Sequence, residues 1–183
     1  MSTLCNSDCE DLGEHEVVAC GLQSKGGIRA IGRLNCSQNS SAINWESGAA
    51  IQALITAGQL TVVKGVSATL PKPSPLTHIK TGQCSDIPSV DLFEYTLTFE
   101  DDNISQNNND FYDVGNYQRS ELVYFNCSQG TLSVSGSAAV FIVTPMIPMA
   151  TRENQKYEGE VKWESRTMPV IYDLDAAGIA IFS

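Results

Sequence analysis

The stretch "SVDLFEYTLTFED", residues 89 to 101, sets Val90, Leu92, Glu94, Thr96 and Thr98 against Asp91, Phe93, Tyr95, Leu97 and Phe99. Side chains point to alternate faces of a strand, so an aromatic and aliphatic set on one parity and a polar set on the other marks a half-buried strand. No other segment carries so strong a two-residue period, and it predicts a central strand. A second alternation, in "EGEVKWESRTMPVIYD" at 158 to 173, places Glu158, Glu160, Lys162 and Glu164 opposite Gly159, Val161 and Trp163, and halts at Pro169. Trp163 is the candidate core anchor, since an indole buries a large apolar area.

Strand signals continue on both sides of these two segments. "GGIRAIGRLNCSQNSS" (26–41) reads as a strand and its exit into a turn, and "QLTVVKGVSATL" (59–70) is rich in β-formers. "ELVYFNCSQGTLSVSGSAAVFIVTP" (121–145) reads as two or three strands joined at "SQG" and "SGS", 156–164 and 168–172 add strands, and "AGIAIFS" closes the chain. One helix stands out, in "NWESGAAIQALITAGQ" (44–59), with Asn44 or Ser47 as N-cap and Gly58 as stop. "PKPSPLTHIKTGQCSDIP" has three prolines in five residues and reads as unable to join a ladder. In "DDNISQNNNDFYDVGNYQRS" Asp110 is placed to cap a helical turn or two through Tyr117. The expectation is a mainly β chain, a β-sandwich or barrel with one flanking α-helix. Residues 1–20 are expected to form an N-terminal arm, and 21–183 a single β-sandwich domain with long loops at 66–89 and 101–117.

Composition removes several functions. A formal net charge of −10 argues against holding nucleic acid through its phosphates. No apolar run approaches the roughly 20 residues of a membrane span. The acidic opening "MSTLCNSDCEDLGEHE" lacks the basic start and apolar core of a secretory signal, so the expected site of synthesis is a cytoplasm. There Cys5, Cys9, Cys20, Cys36, Cys84 and Cys127 read as mainly free thiols.

No reaction is written in the remaining residues. His15 and His78 are the two histidines, and a His78–Cys84 dyad would have to be built from a proline-rich loop. Cys5, Cys9, His15 and Cys20 lack the tight paired spacing of a zinc site. Asp101, Asn103 and Ser105 match the first ligand spacings of a calcium loop, which then fails at Gln106 and Tyr112. The expectation is no cofactor and no metal. The tetrapeptide Asn-Cys-Ser-Gln, at 35–38 and again at 126–129, reads as a chance repeat, with two equivalent strand ends as the alternative.

Three segments in order, "FEYTLTFED", "NNDFYDVGNYQRSELVYFNCSQGTLSVSG" and "VTPMIPMATRENQKYEGEVKWESRTMPVIYD", together with the earlier "CGLQSKGGIRAIGRLNCSQNSSAINW", resemble the tail tube proteins and related virion structural proteins of tailed phages, especially those infecting Bacteroidetes. The resemblance rests on element order and loose motifs over most of the chain. It implies a virion protein made in the host cytoplasm, a homo-oligomer of stacked hexameric rings in contact with other virion proteins, and a channel that DNA passes without specific binding. It also implies inter-ring contacts from residues 1–20 and the loops, and no catalytic residues. Glu94, Glu158, Glu160 and Glu164 are then the candidate lumen or rim acids, because a wall of carboxylates repels phosphate. Two other expectations remain open: a head-decoration or head–tail joining protein, and a soluble carbohydrate-binding or hydrolytic β-sandwich.

Overall fold

The computed structural model describes residues 27–79, 88–115, 119–127, 129–146 and 155–182. Their strands are β1 (Ile28–Leu34), β2 (Leu60–Ala68), β3 (Lys72–Ile79), β4 (Pro88–Asp101), β5 (Arg119–Asn126), β6 (Thr131–Met146), β7 (Lys156–Ser165) and β8 (Val170–Asp173). The helices are α1 (Gly48–Thr56), α2 (Gln106–Gly115) and α3 (Ala176–Phe182). The fold is mainly β, as expected.

All the pairings are antiparallel, and six strands close on themselves in the order β1, β2, β4, β7, β6, β5 and back to β1. The result is a barrel rather than two packed sheets. Its seam is short: β2 meets β4 only at Ser67↔Glu100 and Ala68↔Phe99, extended by the Thr69 N–H donating to Thr98 O at 3.1 Å. The two longest strands, β4 and β6, reach past the barrel. The first half of β4 pairs with β3, and the first residues of β6 pair with β8.

Two cores follow from strand parity. Inside the barrel lie Tyr95, Leu97 and Phe99 of β4, Val161 and Trp163 of β7, and Ala139, Phe141 and Val143 of β6. Outside it, the other face of β1, β5 and β6 carries Leu34, Val123, Phe125, Leu132 and Val134, covered by Trp45, Ile51 of α1 and Phe182 of α3. Both faces of β1 and β5 are therefore buried, which is why those segments read as nearly continuous apolar runs. Gly159 has a different cause. A Cβ there would fall inside the Phe99 ring, so the glycine in "EGEVKW" is what lets that ring lie across β7.

α1 begins and ends as its sequence directs. Ser47 Oγ accepts from Ala50 N at 3.4 Å, and Gly58 takes the left-handed φ of 67° that stops the helix. Elsewhere three expectations are corrected. The 66–89 segment is not one loop, because β2 runs to Ala68 and Lys72–Ile79 forms β3 despite Pro73 and Pro75. Two residues apart, those prolines turn the same way, and an edge strand can hold both with their ring nitrogens aimed away from the ladder. The 101–117 segment contains α2, capped not by Asp110 but by Ser105, whose Oγ accepts from Asn108 N at 3.2 Å. "SGS" is an irregularity within β6, where Gly136 adopts φ 67°, and not a turn between strands. "AGIAIFS", given no element type from the sequence, is helix, since Asp175 caps it by accepting from Gly178 N at 2.6 Å. There are thus three α-helices among the described residues where one was expected.

α2 closes one end of the barrel. Its Phe111 and Tyr112 enter the interior, where Tyr112 packs on Tyr157 with ring centroids 4.8 Å apart. The Tyr112 hydroxyl donates to buried Asp101 Oδ2 at 2.7 Å, and Asp101 Oδ1 accepts from Asn103 N at 2.9 Å. Burial, then the Asp101 charge, push the Tyr112 phenol well above its ordinary range. Asp101 and Asn103, offered by the sequence as calcium ligands, are used here to hold the plug.

The thiols divide. Cys127 is a thiol outside any disulfide, whereas Cys36 is disulfide-bonded, so the expectation of mainly free thiols fails at Cys36. Spacing along the chain does not reveal which thiols the turn after β1 brings together. The two Asn-Cys-Ser-Gln copies do both follow strand ends, each opening a turn closed by an N–H donating to its asparagine carbonyl, Gln38 to Asn35 and Gln129 to Asn126. The arm at 1–20 and Cys84 lie outside the described residues.

Candidate functional site: the acidic face of β4 and β7

The register of β4 and β7 brings the four candidate acids onto one outer face. Glu94 lies opposite Glu164, Thr96 opposite Lys162, Thr98 opposite Glu160, and Glu100 opposite Glu158. β6 extends the rows with Val140, Ile142, Thr144 and Met146. Trp163 sits on the opposite parity, 2% exposed and stacked on Tyr95 at 5.2 Å with ring planes 9° apart. Its indole N–H finds no acceptor among the described residues.

Like charges directly opposite each other in a ladder repel. Glu100 and Glu158 are reconciled by Lys156, whose Nζ lies 2.7 Å from one carboxylate and 3.0 Å from the other. Hydrogen bonds to Glu100 and then Glu158 raise the Lys156 pKa. Lys162 pairs with Glu160 at 3.2 Å. Among the described residues no cation bridges Glu94 and Glu164. Glu100 and Lys156 were not singled out from the sequence, although both continue the polar parity of their strands.

Between the seam and β6 this face dips into a cleft of about 600 Å³. Ile142 and Ala68 give it apolar surface, while Ser67, Thr69, Thr98, Thr144, Glu100, Glu158 and Glu160 give it hydroxyls and carboxylates. The Thr69 and Thr98 hydroxyls are 2.9 Å apart and bonded to each other. The barrel interior is a different environment. Arg33 reaches into it, stacked over Phe141 at 4.4 Å with its Nε donating to Ser120 Oγ at 3.2 Å, and burial lowers its pKa to about 10. With Trp163, Phe99, Phe141, Tyr112 and Tyr157 packed together there, the lumen of this barrel is filled by side chains.

The other chemical candidates do not converge. His78 stands in register with Ser89 on the β3–β4 hairpin, and its dyad partner Cys84, like His15, lies outside the described residues. Among the described residues no three His, Cys, Asp or Glu side chains form a metal-binding group, and no helix is long and apolar enough to cross a membrane.

No family model, curated protein or solved structure matches this chain. Its function therefore has to be read from the geometry of this face and from the edges of the sheet.

Proposed function

We propose that this chain is a non-enzymatic virion structural protein, a tail tube subunit that assembles into stacked rings around a passage for DNA. The observation that carries the reading is the outer face of β4 and β7, where five carboxylates (Glu94, Glu100, Glu158, Glu160, Glu164) stand against two lysines. Repeated around a ring, such a face makes an acidic wall, which a polyanion passes without adhering. The filled interior of the barrel leaves any passage to be formed between subunits.

Two further features support assembly. The β3–β4 hairpin continues beyond the last β7 partner, Phe93↔Ser165, and offers a protruding element for a neighbour. Among the described residues the sheet also keeps open edges outside the barrel, which association can cover. Negative-stain microscopy of the purified protein at high concentration tests the reading: rings or tubes are expected, and a monodisperse monomer at high concentration and salt overturns it. Closed rings that never stack and instead bind capsids would point to the head–tail joining or decoration alternative.

A second reading draws on the cleft. Hydroxyls and carboxylates grouped in about 600 Å³ suit a saccharide, although the lining offers no exposed aromatic platform. A glycan array with the parent and Glu158→Gln separates this reading from assembly: specific, E158Q-sensitive binding by a monomer favours it.

A further inference from the structure

β8 pairs with β6 along one edge, and among the described residues its other edge has no partner. The length of that free edge follows from the backbone. The Leu174 N–H donates to Gly130 O at 3.3 Å, one step beyond the Thr131↔Asp173 pair, so Leu174 bonds toward β6. Successive residues of a strand direct their N–H and C=O groups to opposite sides, which turns Val170 and Tyr172 toward β6 and Ile171 and Asp173 away from it. At one end Pro169 has no N–H to offer, and at the other the Asp175 N–H is already donated to Glu46 O at 3.2 Å. Ile171 and Asp173 therefore carry the whole free edge. The edge strand β3 is guarded by Pro73 and Pro75, whereas the only charge on this edge is Asp173. Apolar side chains flank it: Val170 is 51% exposed, Ile171 65%, and Met168 just before the strand 76%.

Whatever covers this edge must be as short as the edge is. A strand of ordinary length would run into the Glu46 backbone beside Asp175, whereas a strand that itself breaks after two outward residues fits, and β8 is such a strand. We infer that β8 of one copy pairs antiparallel with β8 of a second copy about a two-fold axis. Three registers bring outward residues together. Asp173 opposite Asp173 sets like charges against each other and calls on the Asp175 N–H that Glu46 has taken. Ile171 opposite Ile171 sets each Asp173 against Pro169, which can donate nothing. Ile171 opposite Asp173 uses both outward residues of both copies in four N–H···O bonds, centred on Tyr172 opposite Tyr172. In that register the side toward α1 and α3 is apolar throughout, because Tyr172 and Leu174 already pack on that core and Val170 of one copy lies across from Leu174 of the other. Covering the exposed parts of Met168, Val170 and Ile171 in two copies buries roughly 700–900 Å² in total, below the area of stable complexes, so the pair is weak and depends on concentration. A ring needs head-to-tail contacts, so this two-fold contact goes beyond the tube reading and does not rest on it.

The test mixes isotopically heavy Ile171→Cys protein with light Asp173→Cys protein under mild oxidation, and identifies linked peptides by mass spectrometry. A disulfide joining 171 of a heavy chain to 173 of a light chain is expected, with 171–171 links at least about five-fold rarer, since diagonal positions lie beyond disulfide reach. Sedimentation of the parent should show a dimer that grows through the micromolar range. Ile171→Pro removes one outward N–H and no bond to β6, so its dimer affinity should fall by about ten-fold or more relative to Ile171→Thr, which keeps the N–H, with the thermal midpoint unchanged. A parent that stays monomeric, or a 171–173 link no commoner than the 171–171 link, overturns the inference. So does a monomer whose Ile171 and Asp173 amides resist exchange, because another part of the chain then covers the edge. If Ile171→Pro unfolds, the linkage pattern of the cysteine variants decides alone. Rings or tubes without the 171–173 link overturn this contact and leave the tube reading, and linked dimers that never form rings do the reverse.

Discussion

The Gly48 N–H donates to both carboxylate oxygens of Asp175, each at 3.1 Å, while Asp175 Oδ1 also accepts from Gly178 N. One carboxylate therefore caps its own helix, α3, and faces the first turn of α1, where two sets of otherwise unpaired N–H groups and two positive helix ends meet. The approach is so close that a Cβ on Gly48 would fall inside Gly178 N and within 2.8 Å of the Asp175 carboxylate. Asp175→Ala should cost about 1–2 kcal/mol by loss of the cap. Gly48→Ala should cost about 1–3 kcal/mol, because backbone and not a flexible side chain must move. Urea denaturation of both variants checks this, and a neutral Gly48→Ala would contradict the packing.

Trp163 combines full burial with an indole N–H that finds no acceptor among the described residues. The ring, not the N–H, is what it contributes. Trp163→Phe should be tolerated far better than Trp163→Ala, for which about 3–5 kcal/mol is expected. Phenylalanine keeps a stacking partner for Tyr95 and removes a donor that pays desolvation without a bond. Equal losses for the two variants would mean that the N–H is bonded.

Alkaline stability should be governed by the plug. The Tyr112 phenol, ordinarily near 10.0, is held higher in the folded chain. Its contribution is therefore complete below about pH 10 and is lost as pH climbs above that toward the folded value. Burial raises Tyr124 and Tyr157 in the same sense. Arg33 works the other way: its pKa falls from 12.5 to about 10, so the penalty for burying its charge fades above about pH 10. With three tyrosines against one arginine, the urea midpoint should drop between about pH 9 and 11. Tyr112→Phe should flatten that drop, while costing about 1.5–3 kcal/mol at neutral pH through the lost bond to a charged acceptor.

Lys156 is partly exposed, and its effect should be electrostatic and small. Lys156→Met leaves Glu100 and Glu158 facing each other across the ladder. The thermal midpoint should fall at low salt and return toward the parent at about 1 M salt, where the screening length is ~3 Å. Lys156→Met combined with Glu158→Gln should recover most of the loss even at low salt. A salt-independent loss would point to packing by the lysine stem instead.

How much of this was legible depends on which signal each element used. β4 and β7 were readable because their alternation is local, and the same alternation located Glu94, Glu158, Glu160, Glu164 and Trp163 on their parities. β3 was not, because proline argues against a ladder only where a donor is needed, and whether a strand lies at an edge is a tertiary fact. α3 was missed for a related reason: "AGIAIFS" suits a strand or a short helix equally, and Asp175 decides it by bonding to a helix 127 residues away in sequence. The Lys156 bridge needed a register between strands 56 residues apart, and nothing within either segment carries that register.

The seam between β2 and β4, two residue pairs and one further bond, has a kinetic meaning. Every other junction of the barrel carries six or more register partners, so the seam is where the cylinder should first come apart. Native-state amide exchange should find Thr69 and the facing β4 backbone opening at low free energy while β5 and β6 stay protected. A chain that unrolls there for a moment becomes a flat sheet with two fresh edges. Before it closes again, it is the form most exposed to mispairing with another copy.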